Sequence, residues 1–166
     1  NVRFEVEQIA CELVPDGPDK LQFLVSTIPG EPPKPIAKIA SGGELSRIML
    51  ALKTVLSNQD LVGTMIFDEV DTGIGGSAAG KVGKKLKEVS RSRQVICVTH
   101  SAQIAAMAET QFRIEKKVSQ NRTFTDVRLL SHEERQKEIA RMIGGADVTE
   151  LTMKNAEEML RLAQTS

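Results

Sequence analysis

The chain of 166 residues has no excess of charge: 22 Lys and Arg stand against 22 Asp and Glu. A net charge of zero supplies no overall field to hold a polyanion, so DNA contact is expected to be local or to lie elsewhere in a longer protein. Cysteine is scarce. Cys11 and Cys97 stand far apart and match no metal-ligand spacing, so neither a disulfide framework nor a zinc site is indicated, and a reducing cytoplasm is the simplest setting. No stretch approaches the roughly 18 apolar residues of a membrane span, and no signal-peptide pattern opens the chain. A start at Asn1 rather than Met suggests a piece of a longer protein. Internal repeats, low-complexity tracts and sustained heptads are absent, and no proline follows Pro35.

With 40% hydrophobic and 27% charged residues, the chain suits one globular domain with a core of its own. Val2, Phe4 and Val6 alternate with polar residues, as do Leu21, Phe23 and Val25; Asp16-Gly17-Pro18 marks a turn between them, predicting an antiparallel pair. From Pro29 to Pro35 the prolines forbid regular pairing, which predicts a surface loop. Ser41-x-x-Glu44 has the form of a capping box. Leu45, Ile48, Met49, Leu52 and Leu56 follow at helical spacing, predicting a helix from Ser41 to near Ser57-Asn58.

Thr64 to Phe67 and Gln94 to Val98 are short apolar runs that read as buried strands of a parallel sheet. The helix between them, Ser77 to Ser90, is expected to turn Ala78, Val82 and Leu86 inward and Lys81, Lys84, Lys85 and Lys87 outward. Those lysines read as a solvated face, with a DNA patch as the alternative. A short helix holding Ile104 and Met107 comes next, then two strands, Phe112 to Val118 and Thr123 to Leu130, joined around Gln120-Asn121. Helices close the chain, one from the capping box Ser131-x-x-Glu134 to Gly144-Gly145 and one from Thr149 to Ala163. The expected fold is α/β, a mainly parallel sheet with flanking helices and antiparallel additions at each end. Three stretches divide it: residues 1–40, a hairpin and Pro-rich loop; 41–130, the core; and 131–166, the terminal helices.

The chemistry is expected where strands end, because ligands of open α/β sheets gather at the carboxyl edge. Asp68 and Glu69 stand at such an end. There Asp68 would hold Mg²⁺, directly or through water, and Glu69 would polarise an attacking water; the plainer alternative is an acidic pair facing solvent. His100 ends the second strand and could reach a terminal phosphate or the water. Ser41-Gly42-Gly43-Glu44 places two glycines at a helix start, where backbone amides suit a phosphate; the alternative is an ordinary N-cap. Gly75-x-x-x-x-Gly80-Lys81 nearly spells a Walker A loop, but Val82 has no hydroxyl for Mg²⁺, so no Walker A is read in this chain.

Ser41 to Arg47 resembles the ABC signature motif, Thr64 to Glu69 a Walker B strand with its catalytic glutamate, and Val98-Thr99-His100 the switch-histidine loop. In that order they resemble the SMC/ABC ATPase superfamily. Asp68-Glu69-Val70-Asp71 is similar to the SMC form rather than the transporter form, which usually has proline after the glutamate. Ile28-Pro29-Gly30-Glu31, Ile39-Ala40 and Ile139 to Gly145 further resemble the RecN family of bacterial DNA-repair proteins. The resemblance implies the C-terminal lobe of an ATPase head that hydrolyses ATP with Mg²⁺. Its implied partners are an N-terminal Walker A lobe of the same protein, a second head in a homodimer, and DNA through the parent, with no membrane. It implies a bacterial, nucleoid-associated setting and double-strand-break repair by recombination. Asp71 would serve the inter-subunit loop, because Gly75 stands where many members carry an aspartate. Alternatives are the head of another SMC-like or ABC-type ATPase, or a dimerisation module that binds ATP without turnover.

Overall fold

The computed structural model describes residues 2–15, 17–39, 41–56, 62–119, 122–145 and 147–165. At the start, β1 (Arg3–Val14) and β2 (Gly17–Ser26) pair antiparallel with Phe4 opposite Val25 and Val6 opposite Phe23, as the alternation predicts. The Phe4 and Phe23 rings stack 5.7 Å apart across the ribbon. Asp16 of the expected turn lies outside the described residues. The Pro-rich loop is less irregular than expected: Lys34–Pro35 form β3, which pairs with Leu24 and Val25. An edge position tolerates Pro35 because its missing N–H is not required there. A 3₁₀ turn, Ile36–Lys38, follows.

Helix α1 spans Gly42–Val55, and its expected end at Ser57-Asn58 falls outside the described residues. Its buried residues are Gly43 and Leu50, while Leu45 and Met49 of the apolar stripe remain 38% and 40% exposed. Ile48 and Leu52 are half-buried, so the described residues cover that stripe only in part. Strands β4 (Thr64–Phe67) and β5 (Gln94–Cys97) pair in parallel, Phe67 opposite Cys97. Met65 and Phe67 are buried against α2 residues, but Ile66 is 70% exposed. The pair is thus covered on one face only, not on both as expected, because the described helices pack from one side.

Helix α2 (Gly76–Ser90) buries Ala79, Gly83, Leu86 and Val89. Ala78 is exposed and Ala79 is buried in its place, whereas Leu86 is buried and Val82 packs against the core as expected. Gly83 is needed for a crossing: an added methyl would stand 3.0 Å from Met107 Cγ and 3.2 Å from the Gln103 carbonyl of α3 (Ala102–Ala105). Lys81, Lys84 and Lys85 face solvent as expected, whereas Lys87 donates to the Ala163 carbonyl. Strands β6 (Phe112–Ser119) and β7 (Arg122–Leu129) form the second hairpin; the expected junction at Gln120-Asn121 is outside the described residues. In α4 (His132–Gly144) the capping box forms, with the Glu134 amide donating to Ser131 Oγ at 3.3 Å and the Ser131 amide to Glu134 Oε2 at 2.8 Å. Ile139 and Ala140 of α4 meet Ala156 and Leu160 of α5 (Glu150–Gln164) in a second apolar cluster. The α/β fold with a parallel pair, flanking helices and antiparallel additions at both ends is as expected.

Candidate functional site

The in-register parallel pair brings two chain exits to one edge. The Val98 amide donates to the Phe67 carbonyl at 2.9 Å, so Asp68-Glu69 and Thr99-His100 leave the sheet side by side. Val70, fully buried in the first apolar cluster, pins the turn that follows β4. Within it, Glu69 has φ 57°, a left-handed backbone rare for a residue with a side chain. Such a conformation costs about 1–3 kcal/mol and persists only where its surroundings enforce it.

Helix α1 enforces it. Ser46 Oγ donates to the Asp68 carbonyl at 2.9 Å, and Arg47 Nη1 donates to the carbonyls of Thr72 at 2.8 Å and Val70 at 3.2 Å. Gly43 lets the helix lie directly on the turn: an added methyl would stand 2.9 Å from the carbonyl oxygens of both Glu69 and Thr72. At Gly42 it would stand 2.7 Å from Glu69 Oε2. The glycine pair read as making room for a phosphate thus has a reason inside the chain. Sequence reasoning missed the holding roles of Ser46 and Arg47; polar residues interleaved among the apolar positions of α1 were the available signal.

Ser41 is the N-cap of α1, but no capping box forms there. Its side chain makes no cap bond, and Glu44 Oε1 instead accepts a long bond, 3.4 Å, from Thr27 Oγ1. The first turn of α1 therefore begins without a side-chain cap from its own chain, and its amides carry the positive end of the helix dipole.

Asp71, expected from the resemblance to serve an inter-subunit loop, is only 1% exposed within the chain. Its Oδ2 accepts from Thr99 Oγ1 at 2.5 Å and from the amides of His100 at 2.9 Å and Ser101 at 3.0 Å. Burial raises the Asp71 pKa, but the bonds from Thr99, His100 and its own amide outweigh it and hold the carboxyl below the usual carboxylate range. His100 itself is exposed, its side chain 79% accessible, with Nδ1 3.2 Å from Asp71 Oδ2. Half-buried Cys97 lies near this acidic edge: burial first, then the charges of Asp71 and Asp68, push its thiol up to about 12.

Asp68 is exposed and its Oδ1 accepts the Glu69 amide at 2.9 Å, leaving Oδ2 without a partner among the described residues. The described residues hold no cluster of three or more metal-type side chains. One free carboxylate oxygen still fits Mg²⁺ in a nucleotide site, where phosphates and waters fill the other positions. The near-Walker A stretch is excluded as a phosphate loop: Gly80 and Lys81 lie inside α2, with their backbone committed to the helix.

No family model matches the chain. The DNA repair protein RecN of Halalkalibacterium halodurans is 53% identical over 148 residues, covering 89% of this chain. That of Bacillus subtilis is 49% identical over 152 residues, covering 92%. The chain spans 26% of the length of each of these relatives. Among solved structures, the Smc head domain with coiled coil and joint from Pyrococcus yayanosii aligns with TM-score 0.58 and 25% identity, covering 82% of this chain and 25% of that one. A chain from structural work on ATP-driven dimerisation and DNA-stimulated activation of SMC ATPases aligns with TM-score 0.51 and 21% identity, covering 87% and 84%. About half identical to RecN sequences across nine-tenths of its length and folded as an SMC head segment, the chain belongs to the RecN family.

Proposed function

We propose that this chain is the signature, Walker B and switch-histidine segment of an ATPase head that hydrolyses ATP between two engaged heads, in a parent acting in recombinational repair of DNA double-strand breaks. The observation that carries the reading is the shared edge: adjacent parallel strands deliver Asp68-Glu69 and His100 together, with Glu69 held in a left-handed backbone. Glu69 takes the proton of the attacking water, and His100 faces the terminal phosphate. Asp68 would hold Mg²⁺, directly or through water, and the ion would supply charge neutralisation at the phosphates. The uncapped start of α1, Ser41 to Glu44, receives the phosphates of the opposite head.

Exposed apolar residues agree with a chain that works joined to another lobe. Leu45, Met49 and Leu56 on and after α1, and Ile66, Ile96 and Val98 on the open sheet face, are surfaces of the kind that a partner covers. In this reading the partner is the N-terminal Walker A lobe of the same protein. Titrating the isolated chain with MgATP should give no turnover and weak binding, because a lysine and backbone cradle for the β- and γ-phosphates are supplied by that lobe. Adding the lobe restores both. Micromolar binding by the chain alone would overturn the reading.

Ser41→Arg tests the role across the dimer. Ser41 makes no cap bond, so the substitution removes no stabilising contact of that kind, but it puts a long side chain where a phosphate must approach the amides. In the full-length parent, ATP binding should persist while ATP-driven head dimerisation and turnover are lost. Sedimentation with ATP reads this out, and dimers at the wild-type level would rule the role out.

A further inference from the structure

The proposed chemistry uses Glu69, Asp68 and His100 and leaves Asp71 without a task, yet Asp71 is the most buried acid among the described residues, 1% exposed. A charge at that depth is retained only where donors compensate it. Here the donors are one loop. Thr99, His100 and Ser101, which lie 28, 29 and 30 positions along the chain, converge on the single oxygen Oδ2. The same oxygen is 3.2 Å from Nδ1 of His100. Thr99 Oγ1 also accepts from the Ser101 amide at 3.0 Å, closing the cluster. Asp71 belongs to the turn that carries Glu69, in which the Thr72 amide donates to the Glu69 carbonyl at 3.0 Å. One carboxylate thus ties the two strand exits together.

We propose that Asp71 is the positioning residue of the histidine loop: it fixes the backbone of Thr99 to Ser101 and engages Nδ1 of His100, so that Nε2 is the nitrogen presented to the reacting phosphate or water. An imidazole whose Nδ1 carries a proton toward a carboxylate has Nε2 as its free acceptor, the tautomer suited to a group facing outward. Because Glu69 and Asp71 share a turn, His100 is also held in fixed relation to Glu69. This rests on the proposed role of His100 in ATP turnover.

The test is a double-mutant cycle in the full-length parent, comparing wild type, Asp71→Asn, His100→Ala and the double variant. Asp71→Asn keeps the shape but not the charge. It should lower kcat roughly 10- to 100-fold, as losing an orienting partner of a functional histidine does, with KM for ATP unchanged. In the His100→Ala background it should cost nothing further. Losses that multiply in the double variant, or wild-type kcat in Asp71→Asn, overturn the positioning role. Full turnover in His100→Ala instead removes the histidine from the reaction, a failure of the underlying reading and distinguishable from the first. Should Asp71→Asn not fold, ¹⁵N-histidine spectra of the wild-type parent decide, with His100→Gln assigning the signal. A neutral ring protonated on Nδ1 supports the proposal, and one protonated on Nε2 overturns it.

Discussion

Glu69→Gln in the full-length parent should leave ATP binding intact and cut turnover roughly 100- to 10,000-fold, the usual contribution of a positioned general base. The amide keeps the size and shape of the carboxylate but cannot take a proton from water. Backbone conformation should not change, because the left-handed turn is held from outside the side chain, by Ser46 on the Asp68 carbonyl and Arg47 on those of Val70 and Thr72. Binding should survive because Glu69 holds no phosphate in this reading. Asp68→Asn makes the contrast: it removes the carboxylate next to the metal position, so Mg²⁺-dependent binding weakens. Equilibrium nucleotide binding and steady-state turnover on both variants separate the roles. Turnover near wild type for Glu69→Gln takes Glu69 out of the chemistry.

Gly43→Ala should damage fold and function together. The added methyl would stand 2.9 Å from the carbonyl oxygens of Glu69 and Thr72 and 3.0 Å from Thr72 Cβ, closer than real contacts allow. Two of these three neighbours are backbone, so relief requires α1 and the turn to move apart. Alanine improves helix propensity over glycine by up to about 1 kcal/mol in a helix interior, and by less in a first turn. Overpacking typically costs about 1–3 kcal/mol, so a net loss of stability is expected in urea denaturation. Turnover should fall further than stability suggests, since a displacement of about 1 Å near reacting groups can cost roughly 100-fold. Gly42→Ala is the control for stability alone, because its neighbour is the flexible end of Glu69, which can swing aside without moving the backbone although turnover would suffer. Wild-type stability with lost ATP-driven dimerisation in Gly43→Ala would return that glycine to the ligand-approach reading.

Local rules decided much of this protein from sequence alone. The order of strands and helices, the parallel pair, the acidic residues at the end of β4 and the capping box at Ser131 follow from alternation, helical spacing and short-range side-chain bonds. Partners within a few residues dominate there, so the sequence carries the answer. Tertiary structure decided the rest. The box at Ser41 has the same pattern as that at Ser131 but does not form; the Glu44 side chain instead meets Thr27, 17 positions away. Ala79 rather than Ala78 is buried because the rotation of α2 is set by what it packs on. The resemblance that implied an inter-subunit role for Asp71 could not show that Oδ2 meets donors 28 to 30 positions on, nor could the glycine pair show that α1 would lie on the turn bearing Glu69. Whether a polar or small residue is free to act or is consumed in packing depends on groups brought near only by folding, and no local pattern records their distance.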